Sequence, residues 1–280
     1  MSDSSSDLIP RLLTAGIGIP ILLYVILGAP SWAFLILVAA AGGVGTWEYC
    51  SITYADEHTS GKVVTTAVGT GLFATYFFAP DYLLESVIAA AIIIASFFLL
   101  TFEDKERVSL QVSASMTALL YSNVFLGVLL LIHAVDGGPY WVVLTLVTVW
   151  MTDTTAYFAG RAFGKHPLYE KVSPKKTIEG SIGGILGAVG GALAANWIFF
   201  QVGTWEQIPV VSILILALPT AILEQIGDLS ISLVKRSHEV KDAGAILYGH
   251  GGILDRIDGL IFAAPWFYVC VVRLLPHLQG

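Results

Sequence analysis

Long apolar stretches constrain this chain more than any other feature of its sequence. Each is about 20 residues long, the length that an α-helix needs to cross the hydrocarbon core of a bilayer. They lie near residues 9–28, 31–52, 63–80, 82–101, 112–134, 139–160, 180–200, 208–227 and 257–275. Because 56% of the residues are hydrophobic and only 12% are charged, we predict an all-α, polytopic integral membrane protein with about nine transmembrane helices.

The basic residues predict the orientation of these helices. If the nine helices alternate in direction, every lysine and arginine except Arg273 falls on the side of the N-terminus. Cytoplasmic loops carry an excess of basic residues, so we predict a cytoplasmic N-terminus and an external C-terminus. The first residues lack the basic start and cleavage site of a signal peptide, so we expect the first helix to be retained. The net charge of −7 argues against nucleic acid as a partner.

The polar residues divide the chain into two predicted regions. Residues 1–135 form about five helices with little chemistry, and residues 136–280 form a catalytic membrane region with cytoplasmic loops at 161–180 and 228–256. Glu48 is an exception in the first region, because an acid deep in a membrane helix needs a partner or a polar cavity. Two interpretations of Glu48 stay open: a structural partner for a basic residue, or a wall of the active site.

Charge is concentrated between Gly227 and Asp258. Asp228, Ser232 and Lys235 have helical spacing and would share one face, whereas Asp255 and Asp258 would share one side of a second helix. Glycines between the two helices, including Gly251 and Gly252, permit a tight turn. Aspartates from different helices with nearby basic residues suit a divalent cation and phosphate groups. The alternative is a solvated loop with ordinary surface ion pairs.

A second motif follows the sixth predicted helix. Asp153, Tyr157 and Arg161 are spaced to share one helix face, and the sequence SPKKT follows from Ser173 to Thr177. We predict a loop that is broken at Pro174, presents Lys175 and Lys176 to an anion, and enters the next helix with Thr177 as its N-cap. The glycines do not match a phosphate-binding P-loop. Contact of the lysines with anionic lipid head groups is the alternative.

Three further features concern packing. Gly183, Gly187 and Gly191 recur every four residues and predict close helix packing. Exposed glycine-rich faces also suggest pairing of chains in a homodimer. Glu224 precedes Asp228 by one helical turn, and it would support a metal or, as we favour, pair with a lysine.

Both motifs resemble those of the phosphatidate cytidylyltransferase family, also called CDP-diacylglycerol synthases. Three segments are similar to the family signature. They are S-x-x-K-R at Ser232–Arg236, the pair Lys241-Asp242, and G-H-G-G-x-x-D-R-x-D at Gly249–Asp258. Upstream, D-x-x-A-Y-x-x-G-R-x-F-G and SPKKT-x-EG are similar to further family motifs in the same order. The chain departs from the usual family residues at Ile231, Tyr248 and Gly259.

The resemblance implies the reaction of CTP with phosphatidate to give CDP-diacylglycerol and pyrophosphate, with Mg²⁺, at the cytoplasmic face of the inner (plasma) membrane. A requirement for a monovalent cation such as K⁺ stays open. On this basis we assign Asp228 and Asp255 to the metal, and Asp228, Asp255, Lys235 and Asp258 to catalysis. The residues assigned to substrate are Asp153, Tyr157, Arg161, Ser173, Lys175, Lys176, Thr177, Glu179, Arg236, Lys241, Asp242, His250, Gly251, Gly252 and Arg256.

Two other functions are weighed against this one. A CTP-dependent kinase of a lipid alcohol would share a nucleotide site at the membrane, but it would transfer the γ-phosphate. The complete G-H-G-G-x-x-D-R-x-D signature argues against it. A secondary transporter would use Glu48, Asp153 and Glu224 as ion sites within two related halves. No internal repeat is visible in the sequence, which argues against a transporter.

Overall fold

The structure is a computed structural model that describes residues 8–54, 59–102, 104–203, 205–244 and 251–275. Within these ranges the chain is almost entirely helical. The α-helices are α1 (Leu8–Leu27), α2 (Ser31–Thr53), α3 (Thr59–Phe78), α4 (Leu83–Thr101), α5 (Lys105–Ala118), α6 (Leu126–Ala134), α7 (Gly138–Phe163), α8 (Ile178–Gln201), α9 (Val210–Ser237) and α10 (Leu254–Val269). A π-helical segment, Leu119–Phe125, joins α5 to α6, and another, Cys270–Leu274, extends α10.

Seven helices in the described ranges are long and apolar enough to cross a membrane. They are Ser31–Thr53, Pro80–Thr101, Lys105–Ala134, Gly138–Phe163, Ile178–Gln201, Val210–Ser237 and Leu254–Leu274. Many large apolar side chains on these helices are exposed, among them Leu99, Leu100 and Leu186, as expected for surfaces that face lipid. The all-α, polytopic fold is therefore confirmed, whereas the count of nine spans stays a prediction.

One short element departs from the all-α prediction. Strands β1 (Pro167–Tyr169) and β2 (Ser173–Thr177) form an antiparallel hairpin between α7 and α8. The sequence SPKKT was predicted to be a loop that is broken at Pro174. In a hairpin of only two strands a proline can face away from the ladder, so it does not prevent strand pairing.

The chain forms two compact units. The first unit contains the residues up to Asn123 together with Val240–Arg256. Within it α2 packs against α3 and α5, and α3 packs against α4. Buried polar side chains join these helices: the amide of Asn123 donates to the hydroxyl of Thr46 at 2.7 Å, and the hydroxyls of Tyr54 and Ser115 hydrogen bond. Burial raises the pKa of the Tyr54 phenol, so the phenol stays neutral in this contact.

The second unit contains Val124–Glu239 together with the residues from Ile257. Its most extensive contact is between α7 and α8. A Cβ atom at Gly183, Gly187 or Gly191 would lie 2.3 Å from Ala159, 1.9 Å from Thr155 and 2.5 Å from Met151, respectively. The predicted glycine face therefore packs closely against α7 of the same chain. Because these glycines contact α7 of the same chain, they give no support to the expected homodimer, which stays a prediction.

Helix α9 approaches α10 with similar closeness. A Cβ atom at Gly227 would lie 2.5 Å from the carbonyl oxygen of Asp258, and one at Gly259 would lie 2.7 Å from a carboxylate oxygen of Glu224. Gly259 is one of the departures from the family pattern. Because Gly259 has no side chain, the carboxylate of Glu224 has room beside it in the second unit.

Candidate active site

The hairpin, the end of α7, the start of α8 and the middle of α9 line a cavity of about 340 Å³ in the second unit. Six of the residues that the sequence assigned to substrate line it. They are Asp153, Tyr157 and Arg161 on α7, and Lys175, Lys176 and Thr177 on β2. The sequence missed Ala156, Gly160, Leu168, Gly180, Ser181 and Gln225 as lining residues. The volume lies within the range of small-molecule sites.

Thr177 ends the hairpin and begins α8. Its side-chain oxygen accepts a hydrogen bond from Gly180 N at 3.1 Å, which confirms the predicted N-cap. Gly160 and Gly180 lie against each other, because a Cβ atom added to Gly180 would be 3.2 Å from Gly160 Cα. These two glycines bring α7 and the start of α8 together. The motif on α7 and the SPKKT motif thus contribute to one wall of the cavity.

An ion pair links the hairpin to α9. Lys176 Nζ donates to Asp228 Oδ2 at 2.5 Å, and the hydroxyl of Ser232 donates to Asp228 Oδ1 at 3.1 Å. Both side chains of the ion pair are partly exposed, at 28% and 22%. The sequence assigned Lys176 to a phosphate and Asp228 to a metal. The structure brings the two together, so a cation-binding group and an anion-binding group lie side by side.

Three further carboxyl groups of the second unit interact with Asp228 or with one another. Asp258 interacts electrostatically with Asp228 and Asp153, and Glu224 hydrogen bonds with Asp153. Glu224 is 1% exposed, and its Oε2 has no hydrogen-bond partner among the described residues. Glu224 also interacts electrostatically with Lys176, so the expected pairing of Glu224 with a lysine stays a prediction.

The donor set suits a hard cation that brings its own additional ligands. Among the described residues, no three carboxylate, imidazole or thiol groups converge as a metal-binding cluster. Mg²⁺ commonly uses only one or two protein carboxylates, together with water and substrate phosphates. The carboxylate of Asp228 and the unpartnered Glu224 Oε2 are oxygen donors of that kind, so the residues fit Mg²⁺.

Basic residues of α9 lie near the hairpin and the carboxylates. Lys235 is buried and interacts electrostatically with Asp258. Arg236 Nε donates to the carbonyl oxygen of Val172 at 3.4 Å, immediately before Ser173. Arg236, which the sequence assigned to substrate, thus also contacts the backbone of the hairpin turn.

Glu179 contacts the chain that enters the hairpin. Its Oε2 accepts hydrogen bonds from the backbone N–H groups of Lys165 at 3.1 Å and His166 at 3.3 Å, and its Oε1 lies 2.6 Å from His166 Nδ1. The sequence assigned Glu179 to substrate. Its contacts indicate that it holds the hairpin in place.

Apart from Ser173, which begins β2 in the second unit and does not line the cavity, the remaining assigned residues belong to the first unit or lie outside the described residues. Asp255 Oδ2 accepts hydrogen bonds from Ala243 N at 2.8 Å and Gly252 N at 3.0 Å. Gly251 has a φ of 76°, in agreement with the predicted tight turn. Lys241, Asp242 and Arg256 are exposed. Gly249 and His250 lie outside the described residues.

Glu48 contacts backbone groups in the first unit. It accepts hydrogen bonds from Ile253 N at 3.2 Å and Leu254 N at 2.8 Å. Both donors are main-chain groups, and the two interpretations of Glu48 stay predictions. The sequence offered no signal for this contact, since its partners are main-chain groups 205 and 206 positions away.

Comparisons with known proteins agree with the motifs. A family model described as "Cytidylyltransferase family" matches residues 9–274. The phosphatidate cytidylyltransferase of Thermotoga maritima is 33% identical over 265 residues, which cover 94% of this chain and 96% of the relative. That of Staphylococcus saprophyticus is 34% identical over 195 residues, or 69% and 71% of the two chains. That of Brucella abortus is 45% identical over 128 residues, or 46% and 45%.

Proposed function

Because the chain belongs to the cytidylyltransferase family, we propose that it transfers the cytidylyl group of CTP to phosphatidate, giving CDP-diacylglycerol and pyrophosphate. The observation that carries this proposal is the cavity in the second unit. Its wall contains Arg161, Lys175 and Lys176, and Lys176 contacts Asp228. Two polyanionic substrates require this combination of positive charge and a carboxylate that can hold a cation.

The chemistry needs alignment and charge compensation more than covalent participation of the protein. An oxygen of the lipid phosphate attacks the α-phosphorus of CTP, the bond from that phosphorus to the bridging oxygen of the β-phosphate breaks, and pyrophosphate leaves with the electron pair. Lys175, Lys176 and Arg161 offset the negative charge that keeps the substrates apart. The N-terminus of α8, capped by Thr177, adds a partial positive charge at the same wall.

The ion pair between Lys176 and Asp228 suits a site that binds a cation and an anion together. With substrate bound, Lys176 would be available to hold a phosphate oxygen, and Asp228 would be available as a ligand of a cation. Mg²⁺ would be held by Asp228 and, according to the sequence motif, by Asp255. When bound, it would neutralise phosphate oxygens and stabilise the leaving pyrophosphate.

The membrane arrangement is part of the proposal. Nine spans with a cytoplasmic N-terminus would bring the motif loops to the cytoplasmic face of the inner membrane. There the site would be open to water-soluble CTP and to phosphatidate from the bilayer. The support for this arrangement is the one-sided distribution of lysine and arginine in the sequence.

The test is an assay of purified protein with phosphatidate in mixed micelles and CTP labelled at either the α- or the γ-phosphate. We expect α-label in a lipid product, unlabelled lipid when the label is at the γ-phosphate, and no product when Mg²⁺ is chelated. Parallel reactions with and without K⁺ test the monovalent cation. γ-Label in the lipid would indicate a lipid kinase and would overturn the proposal.

A matched pair of lysine variants connects this activity to the cavity. Lys176→Gln removes the charge beside Asp228, whereas Lys171→Gln removes an exposed charge from the turn of the same hairpin. We expect about a 100-fold loss of kcat/KM for Lys176→Gln, because a charged hydrogen bond in the transition state is lost. Lys171→Gln should stay within twofold of the unmodified protein. Equal activity of the two variants would show that the cavity does not take part in the reaction.

A further inference from the structure

The carboxylate of Glu48 binds the start of α10 within the first unit. Glu48 is 2% exposed and lies on α2, which ends at Thr53. Its two oxygens accept hydrogen bonds from Ile253 N and Leu254 N, at the point where α10 begins. The first N–H groups of a helix have no partner inside the helix. Glu48 therefore caps α10, and its negative charge interacts favourably with the helix terminus.

Two glycines make room for this carboxylate. A Cβ atom at Gly252 would lie 2.5 Å from Glu48 Oε2, and one at Gly244 would lie 2.4 Å from Glu48 Oε1. Both distances are too short for real contacts, so only glycine allows the backbone to approach the carboxylate this closely. The described parts of the loop before α10 thus contact Glu48 from two directions.

The same loop orients Asp255. Asp255 Oδ2 accepts hydrogen bonds from Ala243 N and Gly252 N. Ala243 immediately precedes Gly244, and Gly252 itself contacts Glu48. Glu48 fixes the backbone at Gly244 and Gly252–Leu254, and that backbone fixes the carboxylate of Asp255. A displacement of this backbone would therefore move the carboxylate of Asp255.

We propose that Glu48 is a positioning residue of the active site: it holds the described loop segments, residues 243–244 and 251–254, so that Asp255 is presented in its working orientation. Glu48 acts through this loop and does not touch CTP or phosphatidate. The kinetic consequence rests on the proposed function, because it requires Asp255 to take part in cytidylyl transfer. The structural consequence, protection of the amides of Ile253 and Leu254, is independent of it.

The first test measures hydrogen–deuterium exchange of the full chain in detergent micelles, in peptides that contain residues 251–255. Glu48→Gln keeps the size of the side chain, but only its carbonyl oxygen can accept a backbone hydrogen bond. We expect the amides of Ile253 and Leu254 to exchange at least tenfold faster than in the unmodified protein. Glu85→Gln, which changes an exposed acid in the first turn of α4, should leave them unchanged.

The second test separates positioning from substrate contact and from simple loss of folded protein. Per folded molecule, kcat should fall about tenfold in Glu48→Gln and about 100-fold in Glu48→Ala, which follows from the loss of one or both charged hydrogen bonds. KM for CTP and for phosphatidate should stay within twofold. A purely structural role would lower the yield of folded protein without changing its kcat.

Three outcomes decide the proposal. Faster exchange at Ile253 and Leu254 together with a fall in kcat at constant KM supports it. Unchanged exchange in Glu48→Gln overturns it, and so does a tenfold rise in either KM with unchanged kcat, which would indicate that Glu48 contacts substrate. If the unmodified protein transfers no cytidylyl group, the proposed function fails, and the exchange experiment alone still decides whether Glu48 holds the loop.

Discussion

Each unit contains a motif segment that is held by a glutamate, but the two glutamates work in different surroundings. Glu48 in the first unit is 2% exposed and binds N–H groups 205 and 206 positions away. Glu179 in the second unit has a side chain that is 25% exposed, and it binds N–H groups 13 and 14 positions away. Leu254 is buried and Ile253 partly buried, so their N–H groups have little access to water when the acceptor is removed, whereas exposed donors can bind water.

The comparison indicates where each unit should be sensitive to substitution. In the first unit the loop depends on a distant buried carboxylate, so Glu48 and the glycines that contact it should matter most. In the second unit the hairpin is supported locally and sits on the close contact between α7 and α8. Sensitivity there should lie in the charged residues of the cavity and in the helix contact, with Glu179 contributing less.

The largest effect is expected for Asp228→Asn in the second unit. The amide keeps the shape of the side chain but removes the charge that pairs with Lys176 and that would hold the metal. We expect kcat/KM to fall about 10³-fold, because metal-assisted charge stabilisation in the transition state is lost. The measurement is the α-labelled CTP assay with variants of matched folded content. Turnover within tenfold of the unmodified protein would contradict the assignment of Asp228.

The contact between α7 and α8 provides the next largest effect. Gly187→Val would bring a side chain into Thr155, whereas Gly190→Val on the same helix meets nothing within 4 Å. We expect Gly187→Val to lower the free energy of unfolding by about 1–3 kcal/mol through overpacking, relative to Gly190→Val. Thermal unfolding in detergent checks this difference. Equal stability of the two variants would show that the hairpin does not rest on a close helix contact.

Gly252→Ala tests the first unit at the contact with Glu48. The added Cβ atom would lie 2.5 Å from Glu48 Oε2, whereas Gly71→Ala in the same unit meets nothing within 4 Å. We expect about a tenfold loss of kcat for Gly252→Ala, since the loop must shift away from the carboxylate, and less than a twofold loss for Gly71→Ala. Combination with the shorter Glu48→Asp should recover part of the loss if steric conflict is the cause.

The smallest effect is expected for Glu179→Gln. Its backbone donors at Lys165 and His166 lie in an exposed segment, so water can replace the lost charge-assisted bonds at little cost. We expect a two- to fivefold loss of kcat/KM, measured beside Glu48→Gln under the same conditions. A loss for Glu179→Gln equal to or larger than that for Glu48→Gln would break the comparison between the units.

Local patterns in the sequence predicted much of the fold and part of the site. The four-residue spacing of Gly183, Gly187 and Gly191 predicted the close contact of α8, because helical periodicity alone decides which residues share a face. The same reasoning predicted the N-cap at Thr177 and brought Asp153, Tyr157 and Arg161 to one cavity.

Contacts between residues distant in the chain could not be predicted in this way. Nothing in the local sequence indicates that Lys176 pairs with Asp228, 52 positions away, or that Glu48 caps α10. The hairpin was missed because proline and lysine are typical of loops, whereas pairing of β2 with β1 depends on the neighbouring strand. Tertiary packing determines these features, and single-sequence patterns do not contain it.

The measurement that tests the central claim most directly follows oxygen atoms from phosphatidate labelled with ¹⁸O at the non-bridging oxygens of its phosphate. If a lipid phosphate oxygen attacks the α-phosphorus of CTP, CDP-diacylglycerol retains every ¹⁸O atom and pyrophosphate contains none. Mass spectrometry of both products reads the result, with Asp228→Asn as the inactive control. Transfer of the γ-phosphate to lipid, or ¹⁸O in the released pyrophosphate, would contradict cytidylyl transfer by this protein.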